Sequence, residues 1–331
     1  MLFCRKALAA FSGLSGPVCL PVDSDADGRV KRDLSLYAMN DAQIVADISA
    51  TQTGSVTTAV VPAAGFGTRL RPLTDAIPKE MLPVGRRLAL ERIVEELSAA
   101  GLHRVIFVLS PAKEPLIRRY FGDGANGVLF EYALQPEMRG LGDAVLQAES
   151  YISANEPFVV ALGDAVFEEK TTGGLTRRLI ESFTQANAQI GLAVQRVAPE
   201  RISRYGVVKL APGADALASF LPIVDIVEKP TPQDAPSEFA AAARYVAVPT
   251  VFTVLRATVP GKNGEVQLTD ALRTQLTQGL GGIAVPLQNE VRHDIGGLDS
   301  YFRAFAAFAL RDEEQGPGLR AYLAEYLAKE N

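Results

Sequence analysis

Between Val61 and Pro83 the run VPAAGFGTRLRPLTDAIPKEMLP brings two glycines and three basic side chains close together. Ahead of it, TTAVV at 57–61 is β-branched and apolar and reads as a buried strand. A strand, then glycines, then cations is how a chain brings bare amides up to a phosphate. Gly65 and Gly67 lack a Cβ, so the backbone of Ala63, Ala64, Gly65, Gly67 and Thr68 can approach an anion. Arg69, Arg71 and Lys79 add full charges. The run is not a P-loop, which requires G-x-x-x-x-G-K-[ST]. Nor is it a dinucleotide fingerprint, because Leu70 stands where the third glycine belongs. Taken alone, such a turn is compatible with a ligand site or with a plain loop.

Other residues suit phosphate chemistry on the same terms. Asp164 follows the apolar run FVVAL at 158–162, and ligands of open α/β sheets collect at the carboxyl ends of strands. A strand-end carboxylate suits magnesium, which takes a few carboxylate oxygens plus phosphates and water; an aspartate capping the next turn is the bland alternative. Asp294, in RHDIGG, again follows a strand-like run and precedes glycines. Lys79, close to the glycine loop, is a candidate to hold a phosphate, against the usual fate of a lysine as a solvated surface group. Glu80 is a candidate to pair with a neighbouring cation. Glu228-Lys229-Pro230 is on its own an ordinary strand-end turn.

Taken together, G-x-G-T-R-x-x-P…P-K-E-M-L-P resembles the signature of the sugar-1-phosphate nucleotidylyltransferases. Its PKEMLP form resembles the bacterial uridylyltransferases that use UTP and glucose 1-phosphate. The resemblance covers about residues 57–310 and implies roles residue by residue. Arg69, Lys79, Asp164 and Lys229 would be catalytic, with Asp164 and Asp294 holding Mg2+. Ala63, Ala64, Gly65, Gly67, Thr68, Gln135 and Gly140 would bind the nucleotide. Gln135 would offer donor and acceptor to the base, and Gly140 would let the ring lie on bare backbone. Gly206, Glu228, Lys229 and Glu265, the last in GEVQLTD, would face the sugar. His293 would be structural. Two departures stand out: Asp143 where the uridylyltransferases carry histidine, and Gly297 where relatives carry a polar residue. Asp143 implies a less basic phosphate side. Two other readings remain open: a different nucleotide or sugar phosphate, and a catalytically quiet homologue that binds sugar nucleotide as a regulator.

The elements that must position these groups alternate strand and helix from residue 57 onward. That implies α/β architecture: a Rossmann-like α/β/α domain over 56–312 with a mostly parallel mixed sheet. Helices are expected at 88–97, from Pro111 to Gly122, and at 141–150, 174–187, 265–278 and 298–311. The strands RYGVVKL and IVDIVEKP read as a small β-rich sugar-side lobe. Residues 313–331 read as a helical tail, GLRAYLAEYLAKEN being amphipathic after the Gly-Pro-Gly at 316–318. Residues 1–55 read as an extension, either disordered or absent from the mature protein, with Met39 as an alternative start; a poor signal or transit peptide is the other reading.

The chain has 331 residues, 48% hydrophobic and 21% charged, ample for a sizeable core. A net charge of -5 disfavours nonspecific nucleic-acid binding. Cys4 and Cys19 make neither a metal spacing nor a disulfide framework, so a reducing cytoplasm is expected. Two histidines and no tryptophan leave a zinc site or a histidine triad poorly supported. No membrane span is expected. A homo-oligomer, dimer or tetramer, is implied by the resemblance.

Overall fold

Residues 54–261 and 264–330 are described by the structure, a computed structural model. The extension expected over 1–55, with Cys4, Cys19 and Met39, lies outside the described residues apart from its last two positions.

In chain order the first strand is β1 (Thr58–Pro62), followed by the one-turn helix α1 (Leu73–Ala76) and the small hairpin β2 (Pro83–Val84) and β3 (Arg87–Leu88). Next come α2 (Ala89–Ala99), β4 (Arg104–Leu109), α3 (Glu114–Phe121), β5 (Gly124–Ala125), β6 (Val128–Leu134) and α4 (Leu141–Leu146). They are followed by β7 (Phe158–Ala161), β8 (Ala165–Glu168), α5 (Gly174–Gln185), β9 (Ile190–Arg196), α6 (Pro199–Ile202), β10 (Gly206–Leu210) and β11 (Leu221–Glu228). The chain ends through β12 (Phe239–Ala247), α7 (Thr250–Ala257), α8 (Leu268–Thr277), β13 (Gly282–Pro286), β14 (Val291–Asp294), α9 (Leu298–Leu310) and α10 (Gly316–Glu330).

Ten strands form one twisted sheet in the order β10-β11-β13-β9-β12-β7-β1-β4-β6-β5. The centre, β7-β1-β4-β6, is parallel, whereas β12 runs antiparallel to both β7 and β9. The central strands are apolar on both faces because both are covered. Alternation along each strand sends Val61, Phe107 and Val159 into one core, and Val60, Ile106 and Phe158 into the other. The first core is closed by Leu90, Ile93 and Leu97 of α2 and by Leu175, Leu179 and Phe183 of α5. The second is closed by Val145 of α4, Phe252 of α7 and Leu272 of α8. The result is the three-layer α/β/α sandwich the alternation implies.

Several boundaries differ from expectation, each for a local reason. The strands read as a sugar-side lobe, β10 and β11, form the margin of the main sheet: β11 pairs with β13, and β10 also returns to β12 at Val207↔Ala240. The helix expected from Pro111 starts at Glu114, because Ser110 O first accepts Lys113 N and Glu114 N in a turn. The helix expected over 141–150 stops at Leu146 and passes into a short 3-10 turn at Glu149–Tyr151. The helix expected from 265 starts at Leu268. Residues just before it are pinned to the 139–142 loop by Val266 N→Arg139 O at 2.7 Å and Gly142 N→Val266 O at 2.8 Å. α10 includes the Gly-Pro-Gly as its first turn, where proline is tolerated. Its expected apolar stripe leaves Tyr322 and Tyr326 exposed.

One buried ion pair holds the layers in register near Asp164. Arg244 on β12 is fully buried and binds Glu96 of α2 through both carboxylate oxygens, at 2.8 and 2.7 Å. Thr176 Oγ1 of α5 donates to the same carboxylate at 2.6 Å, and Arg244 also donates to Ala243 O and Ala165 O. Glu96→Gln takes the counter-charge from a buried guanidinium and lowers unfolding free energy by about 3–5 kcal/mol. Denaturant titration measures the loss. A change below about 1 kcal/mol rules this role out.

Candidate active site

β1 delivers the glycine loop to the edge of a 290 Å³ cavity lined by Ala63, Ala64, Gly65, Lys79, Gln135, Gly140, Asp164 and Glu265, among others. Ala63 N donates to Val108 O at 2.8 Å, so the loop leaves the sheet from its carboxyl edge, as ligand loops of such sheets do. The two loop glycines serve different ends. Gly67 has φ +67°, where a side chain is strained, and a Cβ there would press on Thr74 and Lys79. Gly65 has open space in the Cβ direction. Thr68 begins the 3-10 turn Thr68–Leu70, which is tied to the loop by Leu70 N→Gly67 O.

Lys79 reaches Asp164 across this cavity: Nζ donates to Oδ2 at 2.6 Å. Burial pulls the Lys79 ammonium down, but the carboxylates of Asp164, Glu80 and Asp294 outweigh it and hold it above its usual range. Burial pushes the Asp164 carboxyl up, and the charges of Lys79, Arg292 and Arg69 overcome it, leaving Asp164 below the usual carboxylate range. Both groups are therefore charged at neutral pH.

Asp294 joins them through strand pairing. β14 runs antiparallel to β8 with Asp294 opposite Ala165, and Ile295 N donates to Asp164 O at 2.9 Å. Asp294 Oδ1 accepts Gly296 N at 2.7 Å. A Cβ on Gly296 would lie 2.7 Å from Arg69 Nη2, which puts the Arg69 guanidinium beside this turn. Gly297, by contrast, meets only Ser300 Oγ at 3.7 Å in that direction, so the polar residue seen in relatives would fit. His293 contacts Glu168 at 3.2 Å and turns its ring edge to Phe308.

A second cavity, of 670 Å³, has Asp294 in its wall together with Arg69, Arg201, Arg204, Tyr205, Lys229 and Gly297, among others. Lys229 has φ +47°, a strained conformation for a lysine. Its ammonium lies 2.9 Å from Glu228 Oε1. Glu228 Oε2 accepts Thr269 Oγ1 at 2.7 Å, and a Cβ on Gly206 would sit 3.2 Å from that same oxygen.

The structure narrows one expectation and locates two other residues. Gln135 does not keep a donor for a base: both hydrogens of its Nε2 are directed at acceptors, Asp143 Oδ2 at 2.7 Å and Gly140 O at 3.2 Å. Gly140 (φ +101°) lines the cavity with its backbone, and a side chain there is barred because a Cβ would meet Val266 O at 2.6 Å and Glu265 Cβ at 2.9 Å. Glu265, expected to face the sugar, lines the same cavity as Gln135, because the 264–267 segment is pinned to the 139–142 loop. The carboxylate of Asp143 lies on the Gln135 amide, so the effect expected on the phosphate side falls there instead.

Two contributors were not singled out from sequence. Lys113, nearly buried, donates to Glu80 Oε2 at 2.7 Å, Ala63 O at 2.8 Å and Gly65 O at 2.5 Å, and so fastens the glycine loop from beneath. It is the cation expected to pair with Glu80, yet a lone lysine after a strand carries no sequence signal. Arg292 had one: it precedes Asp294 by two residues in a strand, hence shares its face. Its side chain is 9% exposed, and among the described residues its carboxylate contact is Asp294 Oδ2 at 3.5 Å and its Nε has no acceptor.

A glycine loop, an embedded lysine and two carboxylates at strand ends define a site for transfer at a nucleotide phosphate. The chain belongs to the nucleotidyl transferase family, whose model matches residues 58–310. Over 289 residues it is 34% identical to the UTP–glucose-1-phosphate uridylyltransferase 2 of Streptococcus pyogenes serotype M3, covering 81% of this chain and 95% of that protein. It is also 34% identical over 287 residues to the UTP–glucose-1-phosphate uridylyltransferase 1 of that species, covering 80% and 92%. Among solved structures it resembles a UDP-glucose pyrophosphorylase complexed with UDP-glucose (TM-score 0.69, 33% identity, 76% of this chain and 98% of the other). A UTP-bound UGPase of Acinetobacter baumannii superposes with TM-score 0.73 at 27% identity, covering 82% and 99%.

Proposed function

We propose that the chain transfers the uridylyl group of UTP to glucose 1-phosphate, giving UDP-glucose and pyrophosphate. The carrying observation is the Lys79–Asp164 pair at 2.6 Å, set where the glycine loop, Asp294 and Arg69 meet. The names of the relatives and the UTP and UDP-glucose complexes of the neighbours supply the substrates.

An oxygen of the sugar phosphate attacks the α-phosphorus; the bond to the β-phosphate oxygen breaks as the new P–O bond forms, and pyrophosphate leaves. The attacking oxygen is already anionic, so no general base is needed and His293 stays structural. What the protein supplies is position and charge. Amides at 63–68 hold the triphosphate, and Lys79 neutralises the α-phosphoryl group. Arg69 and Arg292 face the leaving pyrophosphate, while Lys229, Glu228 and Gly206 hold the sugar phosphate. Asp164 and Asp294 are hard oxygen donors, and among the described residues no cluster of three or more potential metal ligands exists. That pair fits Mg2+, which completes its shell with phosphate oxygens and water and would lower the charge barrier at the phosphates.

We further propose a cytoplasmic homo-oligomer. No described helix is long and apolar enough to cross a membrane. Phe302 and Phe305 of α9 and Tyr322 and Tyr326 of α10 offer exposed apolar surface.

A panel of nucleoside triphosphates against sugar 1-phosphates, read by pyrophosphate release, tests the reaction. UTP with glucose 1-phosphate is expected to give the highest kcat/KM. Tight binding of UDP-glucose with no pyrophosphate under any pairing would instead establish the regulatory reading. Lys229→Met removes a charge-assisted contact and raises KM for glucose 1-phosphate by about ten- to a hundredfold, with KM for UTP nearly unchanged. Equal effects on both substrates would place Lys229 elsewhere.

A further inference from the structure

We infer that Asp143 is a positioning residue that fixes the polarity of Gln135 and thereby selects a base with a ring N–H. The inference rests on the proposed uridylyl transfer. Gln135 is buried, its backbone N is held by Leu109 O at 2.8 Å, and it lines the 290 Å³ cavity. A glutamine amide is normally ambiguous, since either end can face a ligand. Here the ambiguity is removed by its neighbours. Asp143 Oδ2 and Gly140 O, at 2.7 and 3.2 Å, are both acceptors only, and they take the two hydrogens of Nε2. Among the described residues nothing donates to Oε1, yet it is not sealed away from the cavity, so it is the end left to meet a ligand.

Asp143 is itself held in place. It lies in the first turn of α4, where a carboxylate is favoured by the helix dipole, and its Oδ1 is 3.4 Å from Gln147 Nε2. A carboxylate cannot turn round to donate, so the assignment does not invert. A histidine at this position would present either a donor or an acceptor, according to tautomer, and would not fix Gln135 in this way.

The pairing edge of uracil carries a single donor, N3–H, between two carbonyl acceptors. A pocket whose glutamine presents only an acceptor meets that donor. Cytosine in the same register places the N3 lone pair against Oε1, two acceptors face to face, and neither partner can rotate to relieve it.

Steady-state kinetics with UTP and CTP, at saturating glucose 1-phosphate, test this. The wild-type protein is expected to favour UTP by about a hundredfold or more in kcat/KM. Asp143→Leu frees the Gln135 amide to rotate and narrows that ratio by about tenfold, mostly through KM. Asp143→Asn, whose amide can turn round and donate, is expected to narrow the ratio less than Asp143→Leu does, because it can still accept from Nε2 and Gly140 O continues to do so. Gln135→Met removes the reader and erases the preference, and adding Asp143→Leu to it changes the ratio no further. Asp143→Ser, whose hydroxyl can either donate or accept and so also frees the Gln135 amide, takes the place of Asp143→Leu if that variant is poorly folded. A folded Asp143→Leu protein that keeps the full preference overturns the inference and leaves the proposed reaction standing. So does a wild-type preference for CTP, which would mean that Oε1 reads an exocyclic amine. Absence of turnover with any uridine or cytidine triphosphate fails the proposed reaction itself, and the inference with it.

Discussion

Asp164→Asn is expected to lower kcat by on the order of 10³-fold while the protein stays folded. The asparagine keeps the backbone oxygen that accepts Ile295 N, and it can occupy the same turn between β7 and β8. What it loses is the negative charge. In the wild-type protein that charge is shared with Lys79 at 2.6 Å and is stabilised by Arg292 and Arg69 nearby. Three cations then surround a neutral amide, and the carboxylate proposed to hold the metal is gone. Lys79→Met removes the other half of the pair and costs about 10²–10³-fold in kcat. Combining the two substitutions is expected to cost much less than the product of the single losses, because the residues act as a unit. Pyrophosphate release with UTP and glucose 1-phosphate, alongside a thermal melt, gives both readouts. A well-folded Asp164→Asn protein within tenfold of wild type removes Asp164 from the chemistry.

Lys113→Met is expected to cost about 3–5 kcal/mol of stability and most of the activity together. All three hydrogens of this ammonium are used, on Glu80, Ala63 O and Gly65 O. Glu80 is fully buried, and burial already pushes its carboxyl up against the pull of Lys113 and Lys79. Without Lys113 that carboxylate must protonate or remain buried with only the more distant Lys79 to offset it. The two loop carbonyls also lose their donor. The double substitution Glu80→Leu with Lys113→Met separates these effects. Removing both charges recovers much of the stability, since a buried pair is often no better than apolar residues of similar volume. It does not restore activity, because the glycine loop remains unfastened. Denaturant titration and kcat/KM for UTP measure the two quantities. A Lys113→Met protein losing less than about 1 kcal/mol with full activity shows that the loop is held by other means.

Most of the secondary structure is legible in the chain because its signals are local. TTAVV, RVIFVL and FVVAL announce strands covered on both faces, and the apolar spacing of α2 and α5 announces their buried sides. The candidate phosphate loop over 63–79 is marked locally too, by glycines, a threonine and cations within a few residues, although the resemblance was needed to separate it from a plain turn. Asp164 and Asp294 could each be marked as strand-end acids. Their convergence could not be derived from either neighbourhood, because it depends on β8 and β14 pairing across a long separation. The resemblance carried that step.

What the amino-acid order determined by itself was the α/β alternation, the glycine loop and the kinds of side chain available to a phosphate. The tertiary structure alone decided which of those side chains are spoken for. Lys113 reads as a surface lysine until the fold buries it against Glu80, and Arg244 reads as an ordinary strand arginine until Glu96 is brought beneath it. Gln135 reads as a two-way hydrogen-bonding group until Asp143 and Gly140 take its hydrogens. The reason is common to all three. A short stretch of chain specifies its own φ/ψ preferences and its own apolar face, whereas burial and hydrogen-bond partners come from segments distant in sequence. The worth of a polar side chain depends almost wholly on those partners.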